Sequence, residues 1–286
     1  MQQRRIGDVT VGAVGLGAMP LSTKDGRPSH DDAVAVVHAA LDAGVTLIDT
    51  ADAYARDEAE FGHNESLVAD ALRGYGSGAH DVLVATKGGH TRRGTGWDLD
   101  GTPGYLRRAC EASLRRLGGD AIGLYQFHRP DAATPWDESM GALRSLVDAG
   151  LVRMVGISNA DVAQIDIARA IVGDALVSVQ NQFSPGWRSS ADELAHCAGH
   201  GLAFLPWSPF GGVTAAGSLA STAPAFAAVA SELGVSVYQV TLAWHLAQSD
   251  VVVPIPGASQ ASSIQDCAAA ADLRLTAAQL ARLDAA

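Results

Sequence analysis

The apolar positions of this chain fall into short runs of a few residues, and between the runs apolar and polar residues alternate at helical spacing. The runs span Val14 to Leu16, Leu47 to Asp49, Val82 to Thr86, Ile122 to Phe127, Val152 to Ile157, Val177 to Gln182, Ala203 to Trp207 and Val251 to Ile255. The stretches between them predict helices at Asp31 to Ala43, Asn64 to Arg73, Pro103 to Leu117, Trp136 to Ala149, Asp161 to Ile171, Ala191 to His200 and Val237 to Ala247. A last helix, Leu275 to Ala286, takes Thr276 as its N-cap. In the first helix Val34, Val37, His38 and Leu41 share one face, and Gly44 stands where a C-cap is preferred. Strands alternating with helices in this way predict an α/β fold, a (β/α)8 TIM barrel. Arg4 to Asp8 and Thr10 to Ala13 predict a short N-terminal hairpin closing the barrel bottom, and the chain ends in a short C-terminal tail after Leu283. Gly211 to Ser221, rich in Gly, Ala, Ser and Thr, reads as a mobile loop after the seventh strand. With no linker and no repeat beyond the βα unit, residues 1–286 are expected to form a single domain.

Composition narrows the picture. Hydrophobic residues make up 48% of the 286 and charged residues 18%, which a chain with a large buried core needs. A formal charge of −11 argues against a nucleic-acid surface, and the pairs Arg107-Arg108 and Arg115-Arg116 read as a solvated helix face. Cys110, Cys197 and Cys267 are too few and too far apart for a disulfide framework or a zinc motif, so no metal is expected. The first residues lack an apolar segment, and no run of 18 apolar residues occurs, so a cytoplasmic protein without a membrane partner is expected.

The chemistry gathers at strand ends. Asp49, Tyr54, Lys87 and His128 each stand at or just past the end of an apolar run. In a parallel barrel those ends open on one face, where polar residues serve chemistry more than stability.

Six segments in order, Asp49-Thr50-Ala51-Asp52-Ala53-Tyr54, Ala85-Thr86-Lys87-Gly88, Phe127-His128-Arg129-Pro130, Val155-Gly156-Ile157-Ser158-Asn159, Val179-Gln180-Asn181-Gln182 and Pro254-Ile255-Pro256-Gly257, resemble the aldo-keto reductase family. The resemblance runs from Leu16-Gly17-Ala18-Met19 to about Cys267. It implies NAD(P)H-dependent reduction of an aldehyde or ketone at the barrel mouth. By the same resemblance Tyr54 donates the proton, Lys87 lowers the tyrosine's pKa, Asp49 pairs with Lys87, and His128 hydrogen-bonds the carbonyl. Gly17, Met19, Ser158, Asn159, Gln180 and Trp207 would hold the nicotinamide end, with Trp207 stacked on the ring. Ser208, Pro209 and Gly211 would pass over the pyrophosphate, and Gly257, Ser259, Gln260, Ser263 and Asp266 would meet the adenosine.

The chain departs from the family pattern in one stretch. No basic residue lies between Val251 and Ala271, and Cys267 replaces the family's adenine-binding asparagine. A 2′-phosphate would rest there on Ser259, Gln260, Ser263 and backbone amides, whereas Asp266 would bond a free ribose hydroxyl. NADPH is the expected coenzyme, with NADH as the alternative. Trp97, Arg129, Trp187 and Phe210 are expected to line the substrate pocket, with Arg129 paired to Asp131 and Trp97 on a long flexible segment, Thr91 to Trp97. The short tail implies an open site for bulky or sugar-like carbonyls. Two alternatives share these residues: an NAD-linked alcohol or sugar dehydrogenase, and a nicotinamide-binding redox-sensing subunit. Either monomer or weak homo-oligomer fits.

Overall fold

Seven strands run parallel in one curled sheet, in the order Ala203–Phe204 (β11), Leu176–Gln180 (β10), Val152–Ser158 (β9), Ile122–Phe127 (β8), Leu83–Gly88 (β5), Leu47–Asp49 (β4) and Leu16–Gly17 (β3). The structure is a computed structural model that describes residues 1–212 and 215–286. The eighth predicted run closes the barrel without extended pairing. Phe204 bridges Val252 on one side and Gly17 bridges Gly257 on the other. Gly15 and Gly17 donate to the carbonyls of Pro254 and Pro256, both at 2.9 Å. The prolines lack the N–H groups that would return those bonds, so the ladder there is half complete. Gly17 is required at this seam, because a Cβ would stand 2.8 Å from the Ile255 carbonyl.

The hairpin Gln3–Ile6 (β1) and Val9–Gly12 (β2) plugs the bottom as expected. Its Ile6 and Val11 join Leu47, Leu83, Leu124 and Met154 in the buried barrel interior. Helices His30–Asp42 (α1), His63–Tyr75 (α2), Pro103–Leu117 (α3), Trp136–Asp148 (α4), Val162–Val172 (α5) and Ala191–His200 (α6) follow the strands on the outside. The outer layer is completed by Leu219–Thr222 (α7), Pro224–Leu233 (α8), Val237–Gln248 (α9), Ala261–Ala269 (α10) and Ala277–Asp284 (α11). Thr276 caps α11 as the sequence reading has it, in a capping box with Gln279, and Asp161, read as the first residue of a helix, is the N-cap of α5 in a second box with Gln164. Among the described residues no single helix is long and apolar enough to cross a membrane.

Three loops contain more structure than expected. Thr91 to Trp97 is not an irregular segment: it lies in an antiparallel hairpin, His90–Arg93 (β6) and Gly96–Leu99 (β7), turned by Gly94 at φ 58°. The Arg92 guanidinium lies 3.8 Å from the Trp97 ring centroid, which holds the two strands face to face. The predicted Gly211 to Ser221 loop gives way to a 3₁₀ turn at Ala216–Ser218 and to α7, and Val213 and Thr214 lie outside the described residues. Beyond the eighth run, α10 begins after Gln260, where the sequence pattern offers no side-chain cap.

Candidate active site

The ends of β4, β5, β8 and β10 bring four interior polar side chains together. Lys87 pairs in register with Gln126, and Ser158 with Gln180. Lys87, fully buried, donates from Nζ to Asp49 Oδ2 at 2.6 Å, to the Thr50 carbonyl at 2.9 Å and to the Tyr54 hydroxyl at 2.9 Å. The other Asp49 oxygen accepts from Gln180 Nε2 at 2.8 Å and Gln126 Nε2 at 3.2 Å. Gly156 makes this possible, because a Cβ there would stand 2.8 Å from the Gln126 side chain. Every acceptor and donor of the Asp49–Lys87 pair is thus satisfied, the condition under which a buried ion pair is tolerated.

Burial and charge act in opposite directions on this group. Burial pulls the Lys87 pKa down, but the charge of Asp49, then the Tyr54 hydroxyl, outweighs it, and the ammonium is held more firmly than in water. Tyr54 moves the other way from the sequence expectation. Burial raises its pKa, and the nearby Lys87 charge recovers only part of that rise. The phenol therefore keeps its proton at neutral pH. His128 meets Tyr54 edge to face, ring centroids 5.5 Å apart at 77°. Burial, then the Lys87 charge, pushes its pKa well below the ordinary histidine value, so the imidazole is neutral. Its Nδ1 is buried without a partner.

Tyr54, His128 and Asp49 open onto a cavity of about 570 Å³ at the barrel mouth. On one side Ser158, Asn159 and Gln180 line it, tied together by Ser158 Oγ donating to the Gln180 carbonyl at 2.6 Å and Asn159 Nδ2 to the His128 carbonyl at 3.0 Å. Asn159 adopts a left-handed φ of 59°, which an asparagine accepts more readily than most residues. Trp207, Ser208 and Pro209 form a second wall, with the indole Nε1 of Trp207 buried and unpartnered. Gly17, Met19, Gly257 and Ser259 form a third. Trp97, Arg129 and Phe210 complete the rim.

A family model described as the aldo/keto reductase family matches residues 13–286. The chain belongs to the aldo/keto reductase family. This aldo/keto reductase is 35% identical over 277 residues to the 6-dehydroglucose reductase of Novosphingobium aromaticivorans, covering 93% of this chain and 88% of that protein. It is 34% identical over 285 residues to an uncharacterized oxidoreductase of Schizosaccharomyces pombe, covering 98% and 88% respectively. Among solved structures it is similar to an aldo/keto reductase from Klebsiella pneumoniae in complex with NADP and acetate, at TM-score 0.81 and 28% identity over 99% of this chain and 94% of that one. These likenesses make this chain an oxidoreductase of the family, on the family's α/β barrel.

Several expected residues of this aldo/keto reductase stand elsewhere. Trp187 does not line the cavity: it is half exposed, in a tight turn whose backbone pairs with Ser184. Arg129 does line it but leaves Asp131 alone, donating instead to Asn159 Oδ1 at 3.3 Å. Asp131 is occupied by the amides of Gly101 and Ala133 and the Thr134 hydroxyl. Asp266 faces α9, where Ser236 Oγ and Gln239 Nε2 each bond it at 2.6 Å, and it lies outside the cavity lining. Gln260 and Ser263 are exposed and, with Gly211, lie outside the cavity lining, where Gly212 stands instead.

Several lining residues escaped the sequence reading, among them Lys24 and His90, as did Gln126, which is bonded to Asp49. Gln126 was legible, as a polar residue two positions after Leu124 on an inward-facing strand row. His90 was not. It lines the cavity and packs against His128, ring centroids 4.3 Å apart. The hairpin that carries it shows no apolar run. Burial drives its pKa down to about 4, so it too is uncharged near neutrality.

Proposed function

We propose that this protein reduces an aldehyde or ketone to the alcohol with NADPH, Tyr54 giving the proton. The observation that carries the reading is the Lys87 ammonium held between Asp49 and the Tyr54 hydroxyl at the foot of an open cavity. The residues present suit a nicotinamide dinucleotide. Ser158, Asn159, Trp207, Gly257 and Ser259 all line the one cavity. The bound dinucleotide supplies the hydride. Ser158, Asn159 and Gln180 offer the amide and hydroxyl groups that orient a carboxamide, and Trp207 offers the apolar face for a ring.

A carbonyl oxygen placed between Tyr54 and His128 meets a neutral imidazole and a neutral phenol. His128 donates a hydrogen bond to that oxygen, stabilising the charge that builds there. Tyr54 passes its proton to the same oxygen, and the Lys87 ammonium stabilises the phenolate left behind. Burial keeps the donor loaded, and the ammonium makes its release affordable only as charge develops. Asp49 keeps Lys87 protonated throughout. The 6-dehydroglucose reductase relative, together with the mixed polar and apolar rim of His90, Trp97 and Arg129, supports a sugar-like aldehyde as substrate.

NADH is the second reading, favoured by the absence of any Arg or Lys between Val251 and Ala271. The test is the initial rate of NADPH and NADH oxidation with an activated aromatic aldehyde, in the native protein and in Tyr54→Phe. Turnover that collapses in the variant is expected. Equal turnover in both would end the assignment of Tyr54, and tenfold tighter NADH binding would end that of NADPH.

A further inference from the structure

On the outer helix layer, away from the barrel mouth, three side chains converge that the proposed reaction does not use. His196 and His200 stand four residues apart on α6, which places both imidazoles on one helix face. Asp166 of α5 stands opposite them, and His196 Nε2 lies 2.9 Å from Asp166 Oδ1. The two imidazole centroids are 4.5 Å apart at 63°. One ligand atom from each of the three residues lies within 4.8 Å of the others.

We propose that Asp166, His196 and His200 form a binding site for a divalent transition metal of the Zn²⁺ type, linking α5 to α6. A histidine pair at i and i+4 presents two nitrogen donors to one point, and a carboxylate adds the third ligand. Zinc bonds imidazole nitrogen and carboxylate oxygen at roughly 2.0–2.2 Å, which sets tetrahedral donors about 3.4 Å apart. The donors, within 4.8 Å of one another, therefore close in by at most about 1.4 Å. All three side chains have room to do so, since Asp166 is 52% exposed, His196 19%, and His200 is exposed. Arg169 Nη1 approaches Asp166 at 3.3 Å and competes for it, but an exposed pair of this kind is worth little and yields to a metal. Two nitrogens and one oxygen select zinc, nickel, cobalt or copper over magnesium and calcium, which take oxygen sets. Three protein ligands leave a position for water, so binding is reversible, and its effect is to tie the outer helices together.

The site is tested on metal-stripped protein by calorimetric titration with Zn²⁺ and by thermal melting with and without it. One equivalent bound, a Tm rise of a few degrees and no response to Mg²⁺ are expected. His196→Gln and His200→Gln should each weaken Zn²⁺ at least tenfold and abolish the Tm rise, and Asp166→Asn should weaken it measurably. Melting of each variant in chelator shows that it folds. No binding to the native protein, or a titration unchanged in the double histidine variant, overturns the site. An unchanged titration in Asp166→Asn overturns the three-ligand arrangement.

Discussion

Gln180 Nε2 donates to Asp49 Oδ1 across 2.8 Å, joining a wall of the cavity to the carboxylate that holds Lys87. One side chain thus joins the end proposed to hold the dinucleotide to the end proposed to give the proton. Gln180→Ala removes a hydrogen bond to a charged group, worth about 1.5–3 kcal/mol. The expected result is a coenzyme KM raised and a kcat lowered together, in steady-state kinetics. A change in KM alone would confine Gln180 to the cavity wall.

The Asp49–Lys87 pair predicts a non-additive stability effect. Asp49→Asn leaves a buried ammonium without its carboxylate and should cost about 3–5 kcal/mol in denaturant unfolding. The double variant Asp49→Asn with Lys87→Met removes both charges and should recover part of that loss. Both variants should be inactive. A double variant less stable than Asp49→Asn would contradict the ion-pair account.

Tyr54→Phe should lower kcat/KM for carbonyl reduction by about 10²–10⁴, with Tm little changed. The two shifted pKa values set the pH profile. Tyr54 lies above its ordinary value, so its phenol stays protonated through neutrality and gives up the proton only in alkali. His128 lies well below its ordinary value, so no charge appears on it as the pH falls from 8 to 6. Reductive kcat/KM should be flat across that range, whereas a midpoint near pH 7 would show another group to be in control.

Asp52 is buried with neither carboxylate oxygen partnered, while Glu65 beside it is bonded to Thr86 and to Arg116, each at 2.5 Å. Burial, then the Glu65 charge, raises the Asp52 pKa well above its ordinary value. A carboxyl raised on folding takes up a proton, so its penalty grows as pH climbs from the unfolded value toward the folded one. Asp52→Asn removes that penalty. Its Tm relative to the native protein should therefore rise between pH 5 and pH 8, by calorimetry, and a constant difference would rule this out.

Ser259 lines the cavity at the expected adenosine end, no Arg or Lys lies between Val251 and Ala271, and Lys24 lines the same cavity. Gln260→Arg places a guanidinium beside Ser259, and a charge-assisted bond to a phosphate of about 1.5–3 kcal/mol should tighten NADPH about tenfold or more while leaving NADH unchanged. Fluorescence titration with both coenzymes checks this.

The strand order and the positions of Asp49, Tyr54, Lys87 and His128 were legible in the sequence because each depends on local apolar runs and on what stands at their ends. So were the hairpin plug and the cap at Thr276, which rest on neighbours a few residues apart. Register, burial and long-range competition for partners were decided only in three dimensions. Gln126 reaches Asp49 from 77 residues away, and only the space over Gly156 admits it. Asp266 is claimed by Ser236 and Gln239, Arg129 by Asn159 rather than by nearby Asp131, and Trp187 turns to solvent. The rise in the Tyr54 pKa has the same origin. A lysine in the sequence announces an attractive charge, but the desolvation that outweighs it exists only once the barrel has closed around both side chains.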